Sequence, residues 1–266
     1  MSNIDKWKKY KKIDKIGFGN YSNVYKVKNK KTGDYYAIKE IKKEKFEILE
    51  NELEEMKKIK TENNISIKEI INNKEYSYII MELCEYNLGE YIKIKNKSIS
   101  INEIKLILTQ LNNTFKVMLN EKIIFRDLKL NNILICLDRL DKCLFKLSFS
   151  NQFINKSNSI KINENLLTIS PEILKGEKMN IKSDIWSLGI IIYYMLFKEY
   201  PYNGKGEIEL LKEIESNKEL KKCDNEKLND LLNKMLKIIL MIEFHGKIIL
   251  IILFLIIIFN LIVINI

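Results

Sequence analysis

The side chains with the greatest potential for chemistry lie together in residues 123–135, which read I-I-F-R-D-L-K-L-N-N-I-L-I. Asp127, Lys129 and Asn132 occupy a short polar segment between two apolar runs, and the second run is typical of a buried strand. A carboxylate can accept a hydroxyl proton, an ammonium can stabilise a transferring phosphoryl group, and an amide oxygen can hold a metal ion. The segment therefore indicates phosphate chemistry, although charged residues are also ordinary in a solvated turn.

A second candidate is a glycine turn near the start of the chain. Gly17 and Gly19 lie in I-G-F-G-N-Y-S-N-V, between two segments that alternate like β-strands. A dinucleotide-binding fold requires a helix after its glycines, whereas another strand-like run follows here. The pattern therefore predicts a hairpin. Glycines, with the small Ser22 beside them, would allow its backbone N–H groups to close over phosphates.

The elements that must position these residues change in character along the chain. Strands are predicted at 35–39, 66–71 and 76–81, in addition to the two strands of the hairpin. Helical periodicity is present once early, at 44–60, and then repeatedly from residue 88 onwards. The later helices are predicted at 88–93, 101–120, 183–197, 207–216 and 225–239. The sequence therefore predicts an α+β protein with a five-stranded antiparallel part, one early helix and a mainly helical remainder.

Taken in order, these motifs resemble those of protein kinases. Residues 125–134 are similar to the catalytic loop H-R-D-L-K-P-x-N-I-L, with Phe125 in place of the His and Leu130 in place of the Pro. The glycine turn resembles the glycine-rich loop, and Y-A-I-K, which ends at Lys39, resembles the V-A-I-K strand. Residues 168–172 resemble the segment that ends in A-P-E, and 183–189 resemble the D-x-W-S-x-G helix. The resemblance covers about residues 10–236.

This resemblance implies a bilobal fold, with the small lobe and the start of the hinge at 1–84, the large lobe at 85–240 and a tail at 241–266. The implied catalytic residues are Asp127 and Lys129, and Asp184 is expected to accept hydrogen bonds from backbone N–H groups of the catalytic loop. The implied ATP-binding residues are Ile16, Gly17, Gly19, Ser22, Val24, Ala37, Lys39, Glu52, Glu82, Cys84 and Asn132.

Some of these roles are more specific. Lys39 would reach the α- and β-phosphates and pair with Glu52, and Glu50 and Glu55 are alternative partners on the same helix. Glu82 and Cys84 would bind adenine through their backbone groups, with Met81 limiting the pocket behind it. The implied cofactors are ATP and Mg²⁺, with Asn132 as the metal ligand.

The resemblance fails at the metal-binding triplet D-F-G. The chain has S-F-S at 148–150, either as a direct replacement or with the Asp and Gly deleted around Phe149. Both alignments remove the carboxylate and leave Ser148 nearby, and a neutral hydroxyl is a weak ligand for Mg²⁺. This loss predicts a weakened metal site, with a cost in rate on the order of 10³-fold or more.

Two functions follow from these observations. The first is ATP-dependent phosphorylation of Ser or Thr on a protein substrate, at a weakened rate; Lys129 together with Thr168 indicates the serine/threonine class. The alternative is a pseudokinase that serves as a nucleotide-binding or scaffolding module. Ser157, Ser159 and Thr168 are candidates for phosphorylation in the activation segment, and Arg126 could bind such a phosphate.

Composition limits the partners and the compartment. The net charge of +10 comes almost wholly from lysine, in a chain that is also rich in Ile and Asn, so it indicates a composition bias and not a nucleic-acid surface. ATP and a protein substrate or scaffold partner are expected, without nucleic acid. The four cysteines show no paired spacing and are predicted to be reduced, which favours a cytoplasmic protein.

The last part of the sequence is strongly apolar. Residues 248–264 are Ile, Leu, Phe and Val except for Asn260, and as a helix they would span about 26 Å. This predicts a membrane anchor; the alternatives are a packed helix or translated sequence that does not belong to the natural protein. The family would instead supply an arginine for Glu172, and no arginine follows Arg139.

Overall fold

The computed structural model describes residues 7–18, 22–137, 142–148, 166–216 and 218–237, and for positions 47, 48, 51 and 52 the backbone alone. The described residues belong to two compact units. The first comprises those within Met1–Tyr86 and Leu134–Ile154, and the second those within Asn87–Ile133 and Asn155–Ile266. The lobe and tail boundaries expected from the sequence, at 84 and 240, stay a prediction.

The first unit is built on a five-stranded antiparallel sheet with the strand order β1-β2-β3-β5-β4. Its strands are β1 (Tyr10–Phe18), β2 (Ser22–Asn29), β3 (Tyr35–Lys42), β4 (Ile67–Asn72) and β5 (Tyr76–Met81). The helix α1 (Lys43–Lys57) follows β3 and contacts β3 and β5. The predicted set of five strands and one helix is therefore confirmed.

The two faces of this sheet have different roles. One face holds a buried, aromatic-rich cluster, on which Trp7 stacks against Tyr78 with the ring centroids 5.7 Å apart. The cluster consists of Tyr10, Val27, Ile38, Ile71, Tyr78 and Ile80. Successive residues of a strand point to opposite faces, so Ala37 and Lys39 lie on the other face of β3. That second face carries the functional candidates of the first unit.

Two shorter strands complete the first unit. They are β7 (Ile133–Leu137) and β8 (Cys143–Leu147), which lie in a small sheet with β6 (Tyr86–Asn87). The loop before β4 holds β8: Asn63 accepts a hydrogen bond from the Leu147 amide at 2.9 Å and donates one to the Phe145 carbonyl at 2.8 Å. This loop therefore fixes the strand that leads to Ser148.

The second unit is mainly helical, as predicted. Its helices are α2 (Leu88–Lys95), α3 (Ile101–Asn120), α4 (Pro171–Leu174), α5 (Ile181–Phe197), α6 (Glu207–Glu215) and α7 (Glu226–Lys237). Capping boxes formed by Asn87 with Glu90 and by Ser100 with Glu103 begin α2 and α3. The start of α3 is further stabilised by charge. Burial raises the pKa of Glu103, but hydrogen bonds from Lys95 and Ser100 outweigh it and lower that pKa to about 2.

The apolar helix α5 is the centre of this unit. Most of its residues are buried, and it packs against α3 and α7. Gly189 allows α7 to approach closely, because a Cβ there would lie 3.0 Å from side-chain atoms of Met235 and Leu236. The helix therefore gives the second unit a rigid core, from which its first turn can support the loop described below.

We expect Gly204→Ala to destabilise the second unit by about 1–3 kcal/mol, because the space for a Cβ is filled by backbone. An ideal Cβ at Gly204 would overlap the Leu210 amide nitrogen, and backbone atoms cannot rotate away. Gly206→Ala is the matched control, since no atom lies within 4 Å of its Cβ position and only its N-cap preference is lost. Thermal unfolding of both variants tests this, and equal melting temperatures would contradict it.

One sequence prediction is wrong. Cys84 and Cys136 are not reduced but form a disulfide, with an S–S distance of 2.07 Å. The cause is tertiary: the Glu85 amide donates a hydrogen bond to the Ile135 carbonyl at 3.0 Å, which sets the neighbouring cysteines side by side. Because they lie 52 positions apart in sequence, their spacing gave no signal.

The predicted membrane anchor at 248–264 lies outside the described residues. Within the ranges that the structure describes, none of the helices is both long and apolar enough to cross a bilayer. Ser157 and Ser159 also lie outside these ranges. Thr168 lies within them and is only 6% exposed, so its hydroxyl is not accessible for modification in this conformation.

Candidate functional site

The glycine turn begins where β1 and β2 separate. Gly17 pairs with Val24 across the hairpin, and a register shift between Lys15 and Gly17 marks an irregularity at Ile16. Ile16 is 45% exposed, whereas Ser22, the first residue of β2, is buried. Gly19 lies outside the described residues. Both strands of the predicted hairpin are thus present, as far as Phe18 and from Ser22 onwards.

The inner face of the sheet brings Val24, Ala37 and Lys39 together. Val24 pairs with Lys39 in the ladder of β2 and β3, and Ala37 pairs with Met81 in the ladder of β3 and β5. Lys39 is only 5% exposed, which is unusual for a charged side chain. The ladders therefore connect a buried lysine and two small apolar residues directly to the end of β5.

The acidic residues proposed as partners of Lys39 all lie on α1. The backbone of Glu52 belongs to this helix, and its side chain is not among those described. Glu55 is partly buried and Glu50 is exposed. Because α1 packs against β3, the helix is positioned to carry an acid towards Lys39. The choice among the three acids stays a prediction.

After β5 the chain presents backbone groups suited to recognising a base. The Glu82 amide donates to the Ser66 carbonyl at 3.1 Å, and the Ser66 amide donates to Glu82 Oε1 at 2.6 Å. Among the described residues, no hydrogen-bond partner occupies the Glu82 carbonyl oxygen or the Cys84 amide. One acceptor and one donor, two residues apart, can pair with an amino group and a ring nitrogen of adenine.

In the second unit, the polar side chains of the loop before β7 converge. Lys129 Nζ lies 2.8 Å from Asp127 Oδ2. Asn132 Nδ2 donates to the Asp127 carbonyl at 2.7 Å and to Asp127 Oδ2 at 2.9 Å. Asp127 is 9% exposed, so its carboxylate is held in a protected and orientated position. Such a group can accept a proton from a hydroxyl while the lysine ammonium faces developing negative charge.

Asp184, at the start of α5, holds the backbone of this loop. Its carboxylate accepts the Phe125 amide at 2.7 Å and the Arg126 amide at 3.0 Å. The expectation that Asp184 binds N–H groups of the loop is therefore confirmed. These bonds hold Arg126 at a φ of 72°, in the left-handed region that a long side chain rarely adopts.

The carboxyl group of Asp184 is also electrostatically unusual. Burial raises its pKa to about 7, against the opposing effect of the hydrogen bonds from the Phe125 and Arg126 amides and of the Arg126 guanidinium. The negative charge of Asp127 raises it further.

Ser148 directly follows β8 and is partly buried, and Phe149 and Ser150 lie outside the described residues. Within the described ranges, no group of three or more His, Cys, Asp and Glu side chains is arranged to hold a metal ion. Asn132 Oδ1 and the Ser148 hydroxyl are neutral oxygens, whereas Mg²⁺ prefers carboxylates and phosphate oxygens. Ser148 therefore offers a metal ion no carboxylate.

A buried lysine of the first unit forms an ion pair that was not predicted from the sequence. Lys146 Nζ lies 3.0 Å from Glu82 Oε1, and Lys146 is 7% exposed. Its signal was present in the sequence, since Lys146 is the single charge in the otherwise apolar strand C-L-F-K-L. A charge at such a position requires a partner, although the sequence does not name it.

Known proteins resemble this chain over most of its length. Residues 10–240 match the protein kinase domain family. Calcium-dependent protein kinase 5 of Plasmodium berghei is 35% identical over 224 residues, which cover 80% of this chain and 39% of that protein. Serine/threonine-protein kinase atg1 of Dictyostelium discoideum is 31% identical over 77% of this chain and 33% of its own length. Serine/threonine-protein kinase 33 of Mus musculus is 26% identical over 73% of this chain and 43% of its own length.

The chain thus spans less than half the length of each of these relatives. The match over residues 10–240 agrees with the fold. A five-stranded sheet with one helix, followed by a mainly helical unit, is the architecture expected of a protein kinase. The chain belongs to the protein kinase family, and its relatives are serine/threonine kinases of the eukaryotic type.

Proposed function

We propose that the chain binds ATP and transfers its γ-phosphate to a Ser or Thr hydroxyl of a protein, at a rate lowered by the absence of a carboxylate at Ser148. The observation that carries this proposal is the arrangement of Asp127, Lys129 and Asn132. A structural turn would not need an amide that binds both the backbone carbonyl and the carboxylate of Asp127, together with an ammonium 2.8 Å from the same carboxylate.

The chemical step follows from these groups. The substrate hydroxyl oxygen forms a bond to the γ-phosphorus while the bond from that phosphorus to the bridging oxygen breaks, and ADP leaves. Asp127 accepts the hydroxyl proton, and Asn132 keeps the carboxylate orientated towards it. Lys129 neutralises negative charge on the transferring group, which is the main protein contribution in a loose transition state.

The nucleotide would be held by residues of the first unit. The backbone groups of Glu82 and Cys84 offer adenine an acceptor and a donor, and Val24 and Ala37 supply apolar contacts on the inner sheet face. Lys39 would bind the α- and β-phosphates, with Glu52 as its proposed partner. When bound, Mg²⁺ would neutralise phosphate charge, and the neutral oxygens of Asn132 and Ser148 are the ligands that we propose for it.

The second candidate is a pseudokinase, and Ser148 is the observation that favours it. A protein of this kind would bind nucleotide or a protein partner without phosphotransfer. Binding of ATP in this case would still stabilise the fold, because a ligand that prefers the native state raises its free energy of unfolding.

One assay separates the two functions. Asp127→Asn should lower ATP-dependent phosphate incorporation into a generic basic protein by about 10²–10⁴-fold, because the general base is lost. The assay is run with Mg²⁺ and with Mn²⁺, and a thermal shift with ATP shows whether the variant still folds and binds nucleotide. Equal incorporation by the wild type and the variant, with the ATP shift retained, would reject the enzyme and support the pseudokinase.

A further inference from the structure

We infer that Lys146 is a positioning residue for base recognition, acting through its ion pair with Glu82. This inference rests on the proposed nucleotide site and goes beyond it, because it assigns the choice of adenine over guanine to a residue that does not touch the base.

Glu82 is held from three directions within the first unit. Its Oε1 receives the Lys146 ammonium at 3.0 Å and the Ser66 amide at 2.6 Å, and its own amide donates to the Ser66 carbonyl at 3.1 Å. Lys146 is 7% exposed, and the Glu82 side chain is 29% exposed, so solvent screens this pair weakly. Both the side chain and the amide of Glu82 therefore already have partners within the first unit.

The remaining polar group of Glu82 is its backbone carbonyl, whose oxygen can accept a hydrogen bond from a base. The backbone is held before this carbonyl by the Glu82 side chain and amide, and beyond it by the disulfide of Cys84 and the hydrogen bond of the Glu85 amide. Because it is held on both sides, the peptide plane that follows Glu82 has little freedom to rotate about ψ, and its carbonyl oxygen has a set direction. An adenine amino group donates to such an oxygen, whereas guanine presents a carbonyl at the equivalent position. Two facing acceptors repel each other, so a rigid carbonyl rejects guanine and a mobile one accommodates it.

The position of Lys146 explains why this pair can persist. Lys146 lies within the strand β8 and is itself 7% exposed, so its ammonium has few routes to water. Asn63 holds the strand on both sides of Lys146. Its side-chain amide donates to the Phe145 carbonyl, and its backbone carbonyl accepts from the Leu147 amide. Loss of the ammonium would therefore leave the Glu82 carboxylate with one fewer partner and a more mobile backbone.

The test uses the full chain and measures the dissociation constants of ATP and GTP by calorimetry, without turnover. Lys146→Met should weaken ATP binding by about tenfold and reduce the preference for ATP over GTP by about tenfold, the effect of one impaired buried hydrogen bond. Lys146→Arg should restore both values to within a few-fold, since it keeps the charge. Lys175→Met is the matched control, because it removes a lysine from the exposed pair with Glu215, and it should change neither constant.

Folding is checked by thermal unfolding of each variant. If Lys146→Met does not fold, Glu82→Gln provides the measurement, because the amide oxygen keeps the Ser66 hydrogen bond and loses the ion pair; the same loss of ATP preference is expected. Unchanged nucleotide preference in a folded variant, with ATP bound by the wild type, overturns this inference alone. A wild-type chain that binds neither nucleotide overturns the proposed function and the inference with it.

Discussion

Ser148→Asp is expected to increase Mg²⁺-dependent phosphotransfer by about 10²-fold or more, which would be a gain of activity from a single substitution. The variant places a carboxylate where the chain has a neutral hydroxyl, directly after β8. A carboxylate binds Mg²⁺ far more strongly than a serine oxygen and would add negative charge beside the ion that neutralises the phosphates. Steady-state rates at saturating ATP, measured over a range of Mg²⁺ concentrations, provide the test.

Ser148→Asn is the matched control, because it adds a side chain of the same shape without the charge, and its rate should stay close to that of the wild type. The gain should also disappear when Asp127→Asn is added to Ser148→Asp. An insertion of Asp between Ser148 and Phe149 examines the alternative alignment. If Ser148→Asp has no effect and the insertion restores activity, the triplet has lost its Asp by deletion, and direct replacement is refuted.

Asp184→Ala should lower the free energy of unfolding by about 3–5 kcal/mol, the largest effect on stability that we expect from one side chain. The carboxylate accepts the Phe125 and Arg126 amides, and its loss leaves one buried and one part-buried donor without partners. It also removes the support for the left-handed backbone at Arg126. Chemical denaturation monitored by circular dichroism gives the difference directly. A loss of less than 1 kcal/mol would show that the loop holds its shape without Asp184.

The stability loss of Asp184→Ala should depend on pH, because the Asp184 carboxyl group has a raised pKa. Its folded pKa of about 7 lies above the unfolded value of 3.8, so the folded state binds the proton more tightly. The stability that this group contributes is therefore fully present below about pH 4 and is lost as the pH rises through 7. The deficit of Asp184→Ala relative to the wild type should accordingly shrink between pH 5 and pH 8, and a constant deficit would contradict the raised pKa.

Much of the architecture was predictable because it depends on local patterns. The helix predicted at 101–120 is observed as Ile101–Asn120, since its apolar residues recur with the helical period and Ser100 with Glu103 forms a capping box. The strand at 76–81 is observed as Tyr76–Met81, because a run of aromatic and aliphatic residues follows the turn at 72–74. Asp184 was predictable as a support for the loop, because an acid at a helix start readily accepts backbone N–H groups.

The features that were missed depend on contacts between distant residues. Nothing in the spacing of Cys84 and Cys136 indicates that β7 runs beside the segment after β5. Lys146 could be recognised as anomalous in an apolar strand, but its partner Glu82 lies 64 positions earlier and is specified only by the tertiary fold. The partner of Lys39 could not be chosen, because several acids share the same turns of α1.

The hydrogen bonds from the Phe125 and Arg126 amides to Asp184 join two segments that are synthesised at different times. Arg126 is synthesised 58 residues before Asp184, so the loop at residues 125–132 lacks this support until Asp184 has left the ribosome. At about 5–20 residues per second the delay is about 3–12 s, during which the segment lacks its final shape. Nascent chains that end before α5 should therefore be easily cut by protease at residues 125–132, and those that extend well beyond α5 should resist cleavage there.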